Sequence, residues 1–264
     1  METVAAREKR KLVDRWAVLA AVVVVACGIT AMLRPIPQPG WYHNFADTRT
    51  MLGVPNALNV LSNLPFIVVG LAGLYFLMRI RNQSAQQRWA LLVLFAGLLL
   101  TGFGSGYYHL APGNQRLFWD RFPMTIAMAG IVSLLLVNRL RTPSSLILPL
   151  LTLAGTGSVV YWRWTEQLGR GDLRWYVLYQ ALAFVVGVAL LLRPPVRLEA
   201  TRALVIALLA NIAAKIFELL DKPFYAAGGV VSGHTLKHLA ASLGFIPLLM
   251  WLVSSKSKQP KDTD

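Results

Sequence analysis

The chain has 264 residues, of which 56% are hydrophobic and 14% charged, with a formal net charge of +14 and a mean hydropathy of +0.53. That balance excludes a soluble globular domain. It also argues against nucleic-acid binding despite a pI near 10.4, since membrane topology and contact with anionic lipid at a cytoplasmic face account for the basic residues.

A hydrocarbon core about 30 Å thick takes roughly 20 apolar residues of helix. The sequence supplies eight such spans, at about 16–33, 56–78, 89–109, 119–138, 144–162, 175–192, 201–220 and 235–253. The runs are continuous and lack the period-two alternation of a membrane barrel, so the expected fold is an all-α integral membrane bundle. The first span has a basic flank, but no clean small-residue cleavage site follows it, and it reads as a retained helix rather than a signal peptide. Residues 1–40 are thus a basic cytoplasmic N-terminus with one transmembrane helix, and residues 254–264 a short polar cytoplasmic tail. Gly70, Gly73, Gly97, Gly102 and Gly130 would let helices approach closely in lipid. Gly102, Gly104 and Gly106 lack the strand and the Lys-Ser/Thr of a phosphate loop. The single cysteine, Cys27, lies mid-span and excludes an intrachain disulfide.

Orientation follows from lysine and arginine. Arg7, Lys9, Arg10, Lys11, Arg15, Arg79, Arg81, Arg88, Arg139, Arg141, Arg193, Arg197, Arg202, Lys256, Lys258 and Lys261 lie at one set of span ends and outnumber those at the other. Both termini are therefore expected in the cytoplasm. His43, His109, His234 and His238, with Asp47, Asp120, Asp172, Glu166, Glu218 and Asp221, all fall at the opposite ends. The chemistry is expected on one non-cytoplasmic face, which disfavours a transporter, whose polar residues would line a path across the membrane.

Within SGHTLKH at 232–238, His234 and His238 stand four residues apart at the start of the last span. That spacing puts both imidazoles on one helix face, as two ligands of one metal require, although interfacial histidines also bond headgroups or backbone. His109 ends the third span on the same side and completes a candidate set of three, the arrangement of a catalytic zinc with an open position. Ser105 lies one turn deeper than His109. Its hydroxyl suits an oxyanion or a bound water, while a serine in a membrane helix more often bonds its own backbone or a neighbouring helix. Asp120 opens the next span after a Pro-Gly turn and suits a general base; the alternatives are a helix N-cap or an ion pair with Arg116 or Arg121.

Ser105 to His109, Asp120, and His234 to His238, in that order, resemble the alkaline ceramidases and their bacterial relatives within the CREST group of seven-helix membrane hydrolases. NALNVLSNLPF at 56–66 is similar to the first core helix of that family. The resemblance covers roughly residues 44–253 and implies a seven-helix ceramidase-like domain over 41–253, with the first span added ahead of it. It further implies zinc held by His109, His234 and His238, with Ser105 and Asp120 beside the water that zinc activates. The reaction it implies is hydrolysis of the amide of a ceramide-like or other N-acyl lipid, giving fatty acid and amine base. Receptor members of the group make a non-hydrolytic scaffold with a structural zinc the competing reading.

Eukaryotic alkaline ceramidases resemble one another in an acid-rich, calcium-holding segment before the first core helix. Here that segment, WYHNFADTRTMLGVPN, has one acid, Asp47, and Asn56 where the family has a glutamate. Calcium prefers six or more oxygens and several carboxylates, so no calcium is expected, and ceramide itself is open as the substrate. Glu218 and Asp221, with Lys215, are expected to neutralise one another as a structural cluster; with Asp47 and Asn56 they are the possible accessory residues. The loop 163–176 reads as an interfacial aromatic and basic belt, compatible with a lipid headgroup. The expected partner is a membrane lipid, and no partner protein is called for. Bare loops and short tails favour a bacterial inner membrane with the site facing the periplasm.

Overall fold

The computed structural model describes residues 4–140, 144–193 and 200–254. Its helices are α1 (Val4–Met32), α2 (Ala57–Leu61), α3 (Leu64–Arg79), α4 (Ala85–Leu110), α5 (Asn114–Leu140), α6 (Ser144–Gln167), α7 (Arg174–Leu191), α8 (Thr201–Leu219), α9 (Asp221–Gly228), α10 (Gly233–Leu243) and α11 (Ile246–Ser254). Among the described residues there is no strand beyond an isolated bridge between Met51 and Val54. Among the described residues, six helical segments are long and apolar enough to cross a membrane, or seven if the bent pair of α8 and α9 is one span. The protein is a multi-pass, all-helical membrane protein. Of the first expected span, Trp16–Met32 forms a shorter apolar helix. The expected tail beyond Ser254 lies outside the described residues, as do Arg141 and Arg197.

Two expected spans are broken and a third bends sharply at its end, all for one physical reason. Proline has no N–H to donate to the carbonyl four residues back, and its ring crowds that carbonyl. Pro65, Pro223 and Pro247 stand four residues after Leu61, Leu219 and Leu243, the last residues of α2, α8 and α10. The axis turns by 76° between α8 and α9, whereas α10 and α11 together form one span, Gly233–Ser254. Pro123 lies inside α5 without ending it, so it leaves the Trp119 carbonyl without its helical donor. That carbonyl packs directly on Gly104 of α4, where a methyl group would overlap it.

In lipid there is little hydrophobic drive between helices, and close packing at small residues takes its place. Gly97 lies against the backbone of Ala127, Gly130 against that of Leu94, and Gly70 against that of Leu99, each too close for a side chain. Leu91, Leu94, Phe95 and Leu98 of α4 continue this seam into a buried cluster with Val132, Leu134 and Leu135 of α5, and with Leu204 of α8 and Leu248 of α11.

The two ends of the bundle are tied differently. At one end Gln87 donates to Asn138 at 2.8 Å, and Arg139 donates to the Arg193 carbonyl and to Thr201 Oγ1, both at 3.0 Å. These bonds gather the start of α4, the ends of α5 and α7 and the start of α8. At the other end His43 bridges Tyr108 at 2.8 Å and Asn114 at 2.7 Å, and Asn114 donates to Glu166 at 2.6 Å. Here too α1 is fastened: Asp172 holds the Arg174 guanidinium at 2.8 Å, which donates to the carbonyls of Thr30, Ala31 and Leu33. The Leu173 N–H donates to the Ile36 carbonyl at 2.8 Å.

Candidate metal centre

His109 lies in the last turn of α4, and His234 and His238 in the first turns of α10. α10 starts where it does because the Ser232 hydroxyl accepts the Thr235 N–H at 3.2 Å as an N-cap. Gly233 packs on the Phe217 carbonyl and the Asp221 backbone with no room for a side chain. Asp221 then accepts the N–H of His234 at 2.8 Å and of Ala46 at 2.9 Å.

The three imidazoles form a triangle with ring centroids 4.8 Å apart on each side. One nitrogen from each lies within 4.8 Å of the other two, and all three residues are buried. His109 Nε2 and His234 Nε2 are 3.3 Å apart. Phe45 covers the rings of His109 and His234 at 4.8 and 4.3 Å.

The third ring is held from behind. Ser62 Oγ donates to the Asn59 carbonyl at 3.2 Å, so its contact with His238 Nδ1 at 2.8 Å is one in which Nδ1–H donates and Ser62 accepts. The Nε2 lone pair is then the free one. A carbonyl, carboxylate or hydroxyl behind a metal-binding histidine has this orienting effect. Three buried imidazole nitrogens this close together could hold a metal ion.

Ser105 and Asp120 are both buried, Ser105 one turn before His109 on α4 and Asp120 on α5. Asp120 does not open its helix: α5 begins at Asn114, so Asp120 stands in its second turn and is not an N-cap. Nor does it pair with Arg116 or Arg121 among the described residues.

The accessory residues hold the site without joining it. Asn56, in the left-handed region at φ 47°, donates to the His109 carbonyl at 2.9 Å. Asp47 pairs with Arg49 at 2.8 Å, and the Arg49 hydrogen bond holds its carboxyl below the usual carboxylate range. Its backbone carbonyl accepts from Asn59 at 3.0 Å. The expected Lys215, Glu218 and Asp221 cluster is corrected in one member: Glu218 pairs with Lys215 and, at 2.7 Å, with Lys237, whereas Asp221 serves the two backbone N–H groups. Tyr42 donates to Glu218 at 3.3 Å, and burial holds its phenol above the ordinary range. His43 faces Tyr108 and Asn114 and is not part of the triangle.

Sequence reasoning missed the role of Asn59 and Ser62. Asn59 Oδ1 accepts from Thr235 Oγ1 at 2.9 Å, and its carbonyl accepts from Ser62 and from Asn63 at 2.8 Å. Part of the signal was available: Ser62 and Asn63 follow Asn59 by three and four residues in an otherwise apolar segment, a spacing that shares one helix face, although it does not name the partner.

Residues 50–263 match the model of the family described as Ceramidase. The chain belongs to the ceramidase family. The match takes in the three histidines, Ser105 and Asp120, and family membership carries with it an amide hydrolase acting on a lipid. No curated protein matches the chain.

Proposed function

We propose that the protein is a zinc-dependent membrane amidase that hydrolyses the N-acyl bond of a ceramide-like or other N-acyl lipid. The observation that carries this reading is the buried triangle of His109, His234 and His238 in a chain of the ceramidase family; Ser105, one turn before His109 on α4, and Asp120 on α5 are buried as well. Zinc, when bound, supplies a Lewis acid that polarises the amide carbonyl and acidifies water. Asp120 takes the proton of the attacking water as general base and delivers it to the departing amine. Ser105 donates a hydrogen bond to the developing oxyanion. The Phe45 ring covers the site and keeps bulk water from the charges that form. His238 is oriented by Ser62, and His234 by Asp221.

The reading includes eight membrane crossings, with α1 as the added first one, both termini in the cytoplasm and the histidines on the opposite face, the periplasmic face of a bacterial inner membrane. In support, Arg79, Arg139 and Arg193 lie at the helix ends opposite the histidines. Within the wider CREST group this is a bacterial-type member. Calcium has no place in it, since the only acid in the segment before α2 is committed to Arg49.

The deciding experiment measures metal per chain in the wild type, His109→Ala, His234→Ala and Asp120→Asn, with fatty-acid release from a panel of N-acyl lipids assayed on the same samples. Zinc near one per chain, lost with either histidine, and release abolished in Asp120→Asn with zinc retained, is the expected result. Zinc without release on any lipid supports the receptor reading instead, and absence of zinc refutes both.

A further inference from the structure

Arg121 is the one charged residue next to Asp120 that the proposed reaction does not use, and its surroundings are unusual. It is 5% exposed, and it forms no ion pair with any carboxylate among the described residues. Three aromatic rings enclose its guanidinium: Trp162 at 4.6 Å, Tyr176 at 5.0 Å and Tyr42 at 5.3 Å. Nη2 donates to Gln38 at 2.7 Å, while Nη1 is buried without an acceptor. Trp162, fully buried against the same guanidinium, has a second N–H without an acceptor. The nearest acid along α6, Glu166, accepts from Asn114 at 2.6 Å through Oε1, its Oε2 is buried without a donor, and it forms no ion pair with Arg121.

Aromatic faces compensate a buried cation only in part, and buried donors in folded proteins nearly always find an acceptor. Two orphaned N–H groups in one cluster, one of them on an unpaired cation, define a place for an acceptor-rich anion. Arginine with a planar fork and a tryptophan N–H suits a carboxylate or phosphate oxygen. The place is also close to the reaction. Arg121 follows Asp120 directly in α5, and the Tyr42 that covers it reaches Glu218, the partner of Lys237 on the helix of His234 and His238.

We propose that Arg121 and Trp162 form a subsite for an anionic group, a carboxylate or a phosphate, carried on the amine part of the N-acyl lipid. The inference rests on the amidase reading for its substrate, but its binding step does not depend on turnover. The acyl chain stays in lipid while the acidic end of the amine part pairs with Arg121, so the protein prefers N-acyl amino acids or N-acyl phosphoamines to neutral N-acyl amino alcohols.

The test compares N-lauroylglycine and N-lauroylphosphoethanolamine with neutral N-lauroylethanolamine. Thermal stabilisation and zinc content of the purified protein are measured beside kcat and KM for fatty-acid release. The wild type is expected to be stabilised by one or both anionic lipids at concentrations at least about tenfold below the neutral one, the worth of one charge-assisted hydrogen bond. Which lipid does so distinguishes carboxylate from phosphate, and inorganic phosphate alone distinguishes a free anion from a lipid headgroup. Arg121→Gln is expected to abolish the preference, and Trp162→Phe, which keeps a ring under the guanidinium, to reduce it, in both cases through KM with zinc retained. Equal stabilisation of the wild type by anionic and neutral lipids overturns the proposal and assigns the two donors to buried water. Stabilisation by inorganic phosphate without preference among the lipids also overturns it. Selective binding without fatty-acid release upholds the subsite while refuting the amidase reading. Should Arg121→Gln fail to fold, the wild-type comparison and Trp162→Phe decide.

Discussion

Removing the Ser62 hydroxyl isolates the contribution of a residue that touches neither lipid nor metal. Ser62 accepts His238 Nδ1–H at 2.8 Å and passes its own proton to the Asn59 carbonyl at 3.2 Å. In Ser62→Ala the polar groups left to Nδ1 are Asn63 Nδ2 at 3.3 Å, itself a donor already given to the Asn59 carbonyl, and that carbonyl, which also bonds the His238 ring. Nδ1–H then keeps only a carbonyl that it shares with Asn63, and the ring is held less firmly toward the triangle. Loss of an orienting partner behind a metal-binding histidine costs about 10- to 100-fold in affinity, or roughly 1.4–2.7 kcal/mol. Competition with a chromophoric zinc chelator in detergent micelles measures this directly. Ser62→Thr, which keeps the hydroxyl, should fall near the wild type, and Ser133→Ala is the control, because Ser133 Oγ is buried without a partner and its removal should leave zinc affinity unchanged. Wild-type zinc affinity in Ser62→Ala would refute the assignment of Nε2 as the ligand atom and the orienting role of α2.

Gly104→Ala should separate α4 from α5 at the level of Ser105 and Asp120, because the new methyl meets the Trp119 carbonyl; overpacking of this kind costs about 1–3 kcal/mol, and thermal unfolding with kcat on the same samples checks it, a wild-type kcat counting against close approach there. Asp221→Ala strands the N–H groups of His234 and Ala46 at roughly 1–3 kcal/mol each and should lower both the melting temperature and zinc retention; an unchanged melting temperature would show that water replaces the carboxylate. The Asp47 carboxyl is held low by Arg49, so its contribution to stability is complete above its unfolded pKa of about 3.9 and is lost as pH falls through the lower folded value. Asp47→Asn should therefore be less stable than wild type near neutral pH, and the gap should close under strong acid; a constant difference across a urea titration at several pH values would contradict this.

Six or seven of the eight expected spans were legible because twenty-residue apolar runs have few alternatives, and the i, i+4 histidines because a helix places them on one face. Helix breaks were legible in principle from Pro65, Pro223 and Pro247, each one helical turn past a break, but an apolar run read for hydropathy alone continues straight through them. Asp120 was placed at the mouth of a span because the hydrophobic signal begins at Leu117, whereas the polar residues from Asn114 already belong to the helix. Ser62 and Asn59 were hidden for a different reason. Their meaning depends on a contact with α10, more than 170 residues away, and no local pattern encodes that pairing.

The triangle draws its corners from two packing groups. α4 packs chiefly on α5 and α3, while α10 packs chiefly on α8. An ion held by His109, His234 and His238 therefore acts as a clasp between these two groups at the outer end of the bundle, in addition to the apolar cluster they share and the polar ties through Asn59, Ser62 and Asp221. Occupancy then governs mechanical coherence as well as chemistry: the loaded protein melts as one body, and chelation frees α8–α11 to loosen first, with their amides exchanging hydrogen before those of α4 and α5.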